Sequence, residues 1–130
     1  MTRKVSTRTT WEPVVGYSRA VAAGDFIFVS GCTSVDDGVF VHAGDARAQT
    51  AQAIANVAAA LEQLGATLAD VVRTRMFVTD ISRWEEYGLA HGAAFGETMP
   101  ATSMIGIAAL VDPRMLIEVE AVAYQPGAGG

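Results

Sequence analysis

The chain has 130 residues, 51% of them apolar, and nine basic against fourteen acidic residues give a net charge of −5. That length suits one domain with its own core, and the acidic balance disfavours a surface that tracks phosphates, so no nucleic-acid partner is expected. The single cysteine, Cys32, cannot close an internal disulfide and suits a reducing compartment. No apolar run reaches the roughly 18 residues of a membrane span, and the polar, basic opening lacks the apolar stretch of a secretory signal; the cytoplasm is the expected location.

Residues 1–15 read as an irregular lead-in broken by Pro13. Ser18 to Ala23 and Phe26 to Ser30 alternate as two strands around Gly24-Asp25, a pair suited to a tight hairpin turn. Val39 to Val41 is a weaker third strand after the turn at Asp36-Asp37-Gly38. Asp45 is placed to cap a helix, since its carboxylate can accept from the free amides of the first turn. Ile54, Val57, Ala58, Leu61 and Leu64 follow at helical spacing, with Gly65 as the stop.

Val71 to Thr79 is a β-branched central strand, and Ser82-Arg83-Trp84-Glu85 has the pattern of a capping box at the start of a second helix. Trp84, Gly88, His91 and Phe95 share one face of that helix, and Gly96 ends it. Thr102 to Ala108 and Leu116 to Tyr124 close the chain as strands. The tail 126–130, Pro-Gly-Ala-Gly-Gly, has little to bury and reads as disordered. The order βββ-α-β-α-ββ describes an α+β domain over residues 16–125, a mixed sheet with two helices on one face. Its other face needs cover, which self-association supplies economically.

Glu118 and Glu120 stand two apart on the last strand, so their carboxylates share a face roughly 6–7 Å apart. Paired acids with incomplete solvation raise at least one pKa and suit general acid/base work; a solvated strand face is the plainer alternative. Cys32 is either a redox-sensitive thiol or a small packed residue. Arg19 shares a face with Tyr17, and Arg73 shares one with Arg75; each is a candidate ligand cation or a solvated or paired charge. His91, on the apolar face of its helix, reads as a packed core histidine, and His42 stands alone on a turn. No His, Cys, Asp or Glu spacing suggests a metal site, and no cofactor is expected.

Five segments occur in a fixed order: Gly16-Tyr17-Ser18, Phe28-Val29-Ser30-Gly31, Phe77-Val78-Thr79-Asp80, Pro100-Ala101-Thr102-Ser103 and Ile117-Glu118-Val119-Glu120-Ala121. Together they resemble the Rid family, also called RidA/YjgF or endoribonuclease L-PSP, over about Gly16 to Ala123. The resemblance implies a chorismate-mutase-like fold, a homotrimer, and small-molecule pockets in the clefts between subunits. It implies Glu120 as the glutamate that orders the attacking water, with Tyr17 and Ser30 lining the pocket.

The imine-hydrolysing relatives carry an arginine for the substrate carboxylate where this chain has Thr102. Gly88 stands at the family's asparagine position, Met104 at a frequent cysteine and Gly106 at a frequent glutamate. A hydroxyl reproduces neither the charge nor the fork of a guanidinium. A carboxylate-bearing imine is therefore not the expected substrate. The implied function is a hydrolytic, deaminase-like small-molecule enzyme with a remodelled pocket. The alternative is a non-catalytic trimeric binding protein.

Overall fold

The computed structural model describes residues 2–7 and 9–130. Six strands form the main sheet in the order β1-β2-β3-β8-β6-β7: β1 (Thr2–Val5), β2 (Ala20–Ala23), β3 (Phe26–Cys32), β6 (Val71–Val78), β7 (Ala101–Gly106) and β8 (Ile117–Tyr124). β6 and β7 run parallel and every other neighbouring pair antiparallel, so the sheet is mixed. Two short strands, β4 (Val35–Asp36) and β5 (Val39–Phe40), make a separate hairpin. The two helices are α1 (Ala46–Glu62) and α2 (Trp84–Phe95).

Period-two alternation decides which side of the sheet is covered. On β8, Ile117, Val119, Ala121 and Ala123 are buried, whereas Glu118, Glu120, Val122 and Tyr124 face the other way. Ala53, Ile54, Val57, Ala60 and Leu61 of α1 join the buried set in one core. Each fully buried Ile, Leu or Val contributes roughly 1.5–3 kcal/mol, so this face carries the fold. The opposite face has no helix on it and exposes Phe26, Phe28 and Tyr124. The Phe26 and Tyr124 rings meet edge-on at 5.3 Å.

Asp45 caps α1 as expected, its carboxylate accepting from the Ala48 amide at 3.0 Å. Several expectations are corrected. Residues 2–5 of the lead-in are not irregular: they pair with β2 from Thr2↔Ala23 to Val5↔Ala20; Met1 and Arg8 lie outside the described residues. The strand at Val39 belongs to the small hairpin and not to the main sheet. Ser82 is not the cap of the second helical segment. Asp80 takes that role by accepting from the Ser82 amide, and a 3-10 turn, Ile81–Arg83, leads into α2.

The buried face of α2 is built on Tyr87, Ala90 and Phe95, and Trp84 is 59% exposed. The tail is held by the β2–β3 turn: Gly127 N–H donates to Asp25 Oδ1 at 2.9 Å and Gly129 N–H to Gly24 O at 2.9 Å. The Arg3 guanidinium adds a bond to Ala128 O.

Candidate functional site

The site begins with a mismatch in strand length. β3 runs past the start of β2, and its pairing with β8 slips between Val29 and Cys32. Such a bulge frees backbone groups from the ladder. Arg19, just before β2, answers them: one terminal nitrogen donates to Gly31 O at 2.6 Å and more distantly to Ser30 O. The other donates to the Tyr17 hydroxyl at 3.3 Å, and Nε reaches Thr7 Oγ1 at 3.4 Å. Arg19 is therefore a buried internal strut, only 7% exposed, with each of its three nitrogens donating within the protein.

The segment before it is held by a buried carboxylate. Glu12 accepts from the hydroxyls of Ser6, Thr7 and Thr9 and from the Thr7 and Thr9 amides. Burial opposes the Glu12 charge, but these donors outweigh it and hold its pKa at about 2. A single wide turn, Glu12–Gly16, then closes through Tyr17 N–H to Glu12 O at 3.1 Å.

Between this segment, the end of β3 and α1 lies a cavity of about 360 Å³. Trp11, Val35, Met115 and Ala59 give it apolar wall, and Asn56, Gln63 and Glu118 give it polar groups. Glu118 is half-buried and makes no hydrogen bond or ion pair to any described residue. Burial pushes its carboxyl above the usual range; Glu120 adds to the push, and Arg19 pulls back. Its side chain lies so close over Gly31 that a Cβ there would overlap it. A side chain at 31 would therefore have to move this carboxylate, whereas the backbone angles there do not call for glycine.

Tyr17 and Ser30 do come together, in a second hollow that also includes Gly16, Ser18 and Val21. The Ser30 hydroxyl is spent on Ser18 O at 2.7 Å, which leaves it no proton for a reacting group. Arg19 joins the two hollows, since it bonds Tyr17 on one side and Gly31 on the other. Glu120 does not line the cavity: it is paired with Arg75 at 3.1 Å on the open face of the sheet. Glu118, two residues earlier on the same face of β8, is the carboxylate whose side chain lies over Gly31. Cys32 is buried, and burial pushes its thiol upward against the pull of Arg19, so it is not poised as a thiolate.

Thr102, Met104 and Gly88 lie elsewhere. β7 is separated from β2 by three strands, roughly 19 Å at about 4.8 Å per strand step. The Thr102 hydroxyl is 2.8 Å from Thr74 Oγ1 and donates to Pro100 O at 3.1 Å, while Thr74 also contacts His91 Nε2 at 2.8 Å. Burial lowers the His91 pKa, which favours a neutral imidazole in this hydroxyl chain. Met104 packs against the core. Gly88 has open space where a Cβ would stand. Trp11 was missed in the sequence because it falls in a stretch without periodicity. A signal for Glu118 did exist, since Gly31 and Glu118 sit in adjacent paired strands, but pairing register is needed to use it.

A mixed sheet with two helices on one face and an N-terminal segment folded over the end of β3 is a chorismate-mutase-like α+β domain. The sequence profile of the family described as Endoribonuclease L-PSP matches residues 7–125, and the chain belongs to that family, the RidA/YjgF/UK114 group. Rv2704 from Mycobacterium tuberculosis, a solved member of the YjgF/YER057c/UK114 family, is 48% identical, with TM-score 0.87 over 95% of this chain and 99% of that one. The 2-iminobutanoate/2-iminopropanoate deaminase of Salmonella typhimurium is 31% identical over 129 residues, 96% of this chain and 99% of the relative. A RutC family protein of Pyrococcus abyssi is 37% identical over 117 residues, 88% and 90% of the two chains.

Proposed function

We propose that this chain is a hydrolytic small-molecule enzyme that adds water to an imine or a related reactive carbonyl derivative, with Glu118 as the group that positions and deprotonates the water. The single observation that carries the reading is the half-buried Glu118 carboxyl in the cavity beside Gly31, without a hydrogen-bond partner among the described residues and with its proton affinity raised by burial. A carboxyl in that condition exchanges a proton near neutral pH more readily than a solvated one. In the reaction, water oxygen bonds to the imine carbon and the C–N bond breaks. The iminium R₂C=NH₂⁺ and water become R₂C=O and NH₄⁺, with no redox change. Glu118 takes a proton from water and returns it to nitrogen.

The exposed Phe26, Phe28 and Tyr124 support self-association through the open sheet face; the family resemblance adds a homotrimer with ligand clefts between copies, and the single buried cysteine suits the cytoplasm. Thr102 in place of the arginine of the imine-acid deaminases supports a substrate other than a 2-imino acid. The test is ammonia release from an enzymatically generated 2-imino acid and from an imine lacking a carboxylate. Expected is little acceleration on the acid, measurable turnover on the plain imine, and loss of that turnover in Glu118→Gln. Unchanged turnover in Glu118→Gln rejects the mechanism. Thermal stabilisation by the imine without any turnover supports the alternative, a non-catalytic binding protein.

A further inference from the structure

The chemistry of the cavity wall specifies its ligand more closely than the family does. Among the described residues, Arg19 is the only cationic side chain that lines it, and the carbonyls of Ser30 and Gly31, the Tyr17 hydroxyl and Thr7 already hold its nitrogens. A ligand carboxylate would find no open guanidinium fork there, and it would face the carboxylate of Glu118. A ligand cation meets the reverse situation. Among the described residues Glu118 has no hydrogen-bond partner, and Trp11, 37% exposed, lines the same wall with an indole of the kind on which cations settle. Met115, Val35 and Ala59 supply apolar surface for the rest of the molecule.

We infer that the cavity takes a small organic cation, an ammonium or iminium carried on an apolar body and bearing no carboxylate, held by an ion pair to Glu118 and by the ring of Trp11. This rests on the reading of the cavity as the working site, and it narrows the substrate to protonated amine-derived imines. The Arg19 charge near Glu118 tempers the pull on a cation without reversing it, because that guanidinium is turned onto backbone oxygens.

Titration calorimetry on the full chain at pH 7 tests it with four probes that share a phenylethyl body: 2-phenylethylamine, 2-phenylethanol, phenylalanine and 3-phenylpropionate. The amine is expected to bind at least tenfold more tightly than the alcohol, and the two carboxylates are expected to bind more weakly than the alcohol. Glu118→Gln should weaken the amine at least tenfold and leave the alcohol within twofold. Trp11→Leu should weaken the amine several-fold, and it guards against misreading should the Glu118 variant fold poorly.

Binding of 3-phenylpropionate as tight as that of the amine overturns the inference, as does amine affinity indifferent to both substitutions. Ammonia release from a plain imine without amine binding also rejects this ligand class while leaving the hydrolase reading standing. Amine binding lost on Glu118→Gln, with no imine turnover, upholds the ligand class and rejects the hydrolase.

Discussion

The two ends of the sheet treat their polar groups in opposite ways. At the β7 end, Thr102, Thr74 and His91 bond to one another and to Pro100 O, and His91 stacks on Phe95 at 4.6 Å. Polar groups there are satisfied from within the chain. At the β2–β3 end, Arg19 and Glu12 bring order to a bulge and a loop, yet the Glu118 carboxyl beside them has no hydrogen-bond partner among the described residues. A group desolvated without a partner is unfavourable for folding. The difference teaches that chemistry is to be sought where the chain leaves a polar group incomplete, and that the hydroxyl chain at Thr102 is structural within one copy.

The largest way to break this contrast is through Glu12. Hydrogen bonds to a charged group each contribute about 1.5–3 kcal/mol, and Glu12 accepts five of them from described residues against the cost of burying its charge, so Glu12→Ala is expected to cost at least about 3 kcal/mol and to free the wall that carries Trp11. The same loss should follow from acid. With its folded pKa lowered from 4.5 to about 2, Glu12 contributes stability above pH 4.5, and that contribution falls away as pH drops through about 2. The chain has two tryptophans, Trp11 and Trp84. In a Trp84→Phe background, Trp11 fluorescence reports the cavity wall alone. It should shift to the red on acidification below pH 4, earlier than the far-UV circular dichroism changes. Coincident transitions would show that the two ends do not differ in this respect.

Gly31→Ala sharpens the contrast with a smaller expected effect, about 1–2 kcal/mol, typical of one methyl forced into an occupied space. The added Cβ must displace the Glu118 side chain. Amine affinity is expected to fall at least tenfold, while Thr74, His91 and Thr102 keep their arrangement. The His91 ring resonances in NMR should stay in place; movement of those signals together with lost affinity would mean that the displacement is transmitted across the sheet.

Elements specified by local chemistry were legible in the sequence, and those specified by pairing were not. The Asp45 cap and the apolar spacing of α1 need only residues within a few positions, and both are seen. The strand alternation in Ile117 to Tyr124 put Glu118 and Glu120 on one face, as observed. It could not say which carboxylate meets the bulge, because that depends on the slip between Val29 and Cys32. At the second helix two caps competed, Asp80 and Ser82, and the earlier one formed the 3-10 turn. β1 and the glycine-rich tail carry little apolar signal. Their order comes from backbone bonds to partners about 15 to about 105 residues away, which local composition does not encode.

Thr102→Val is the smallest perturbation and the most discriminating. Valine keeps the shape and removes the bond to Pro100 O and the contact with Thr74, one ordinary hydrogen-bond system worth about 1 kcal/mol. Because the Thr102 hydroxyl turns toward Thr74 and Pro100 and lies three strands from β2, amine affinity at the cavity should change less than twofold. In the proposed trimer a neighbouring copy could bring a second β7 end against the Tyr17 hollow. A loss of affinity of tenfold or more in Thr102→Val, with folding intact, would therefore mean that this hydroxyl reaches the ligand from another copy. The two ends would then be halves of one site, and their separation within the chain would be a property of the monomer alone.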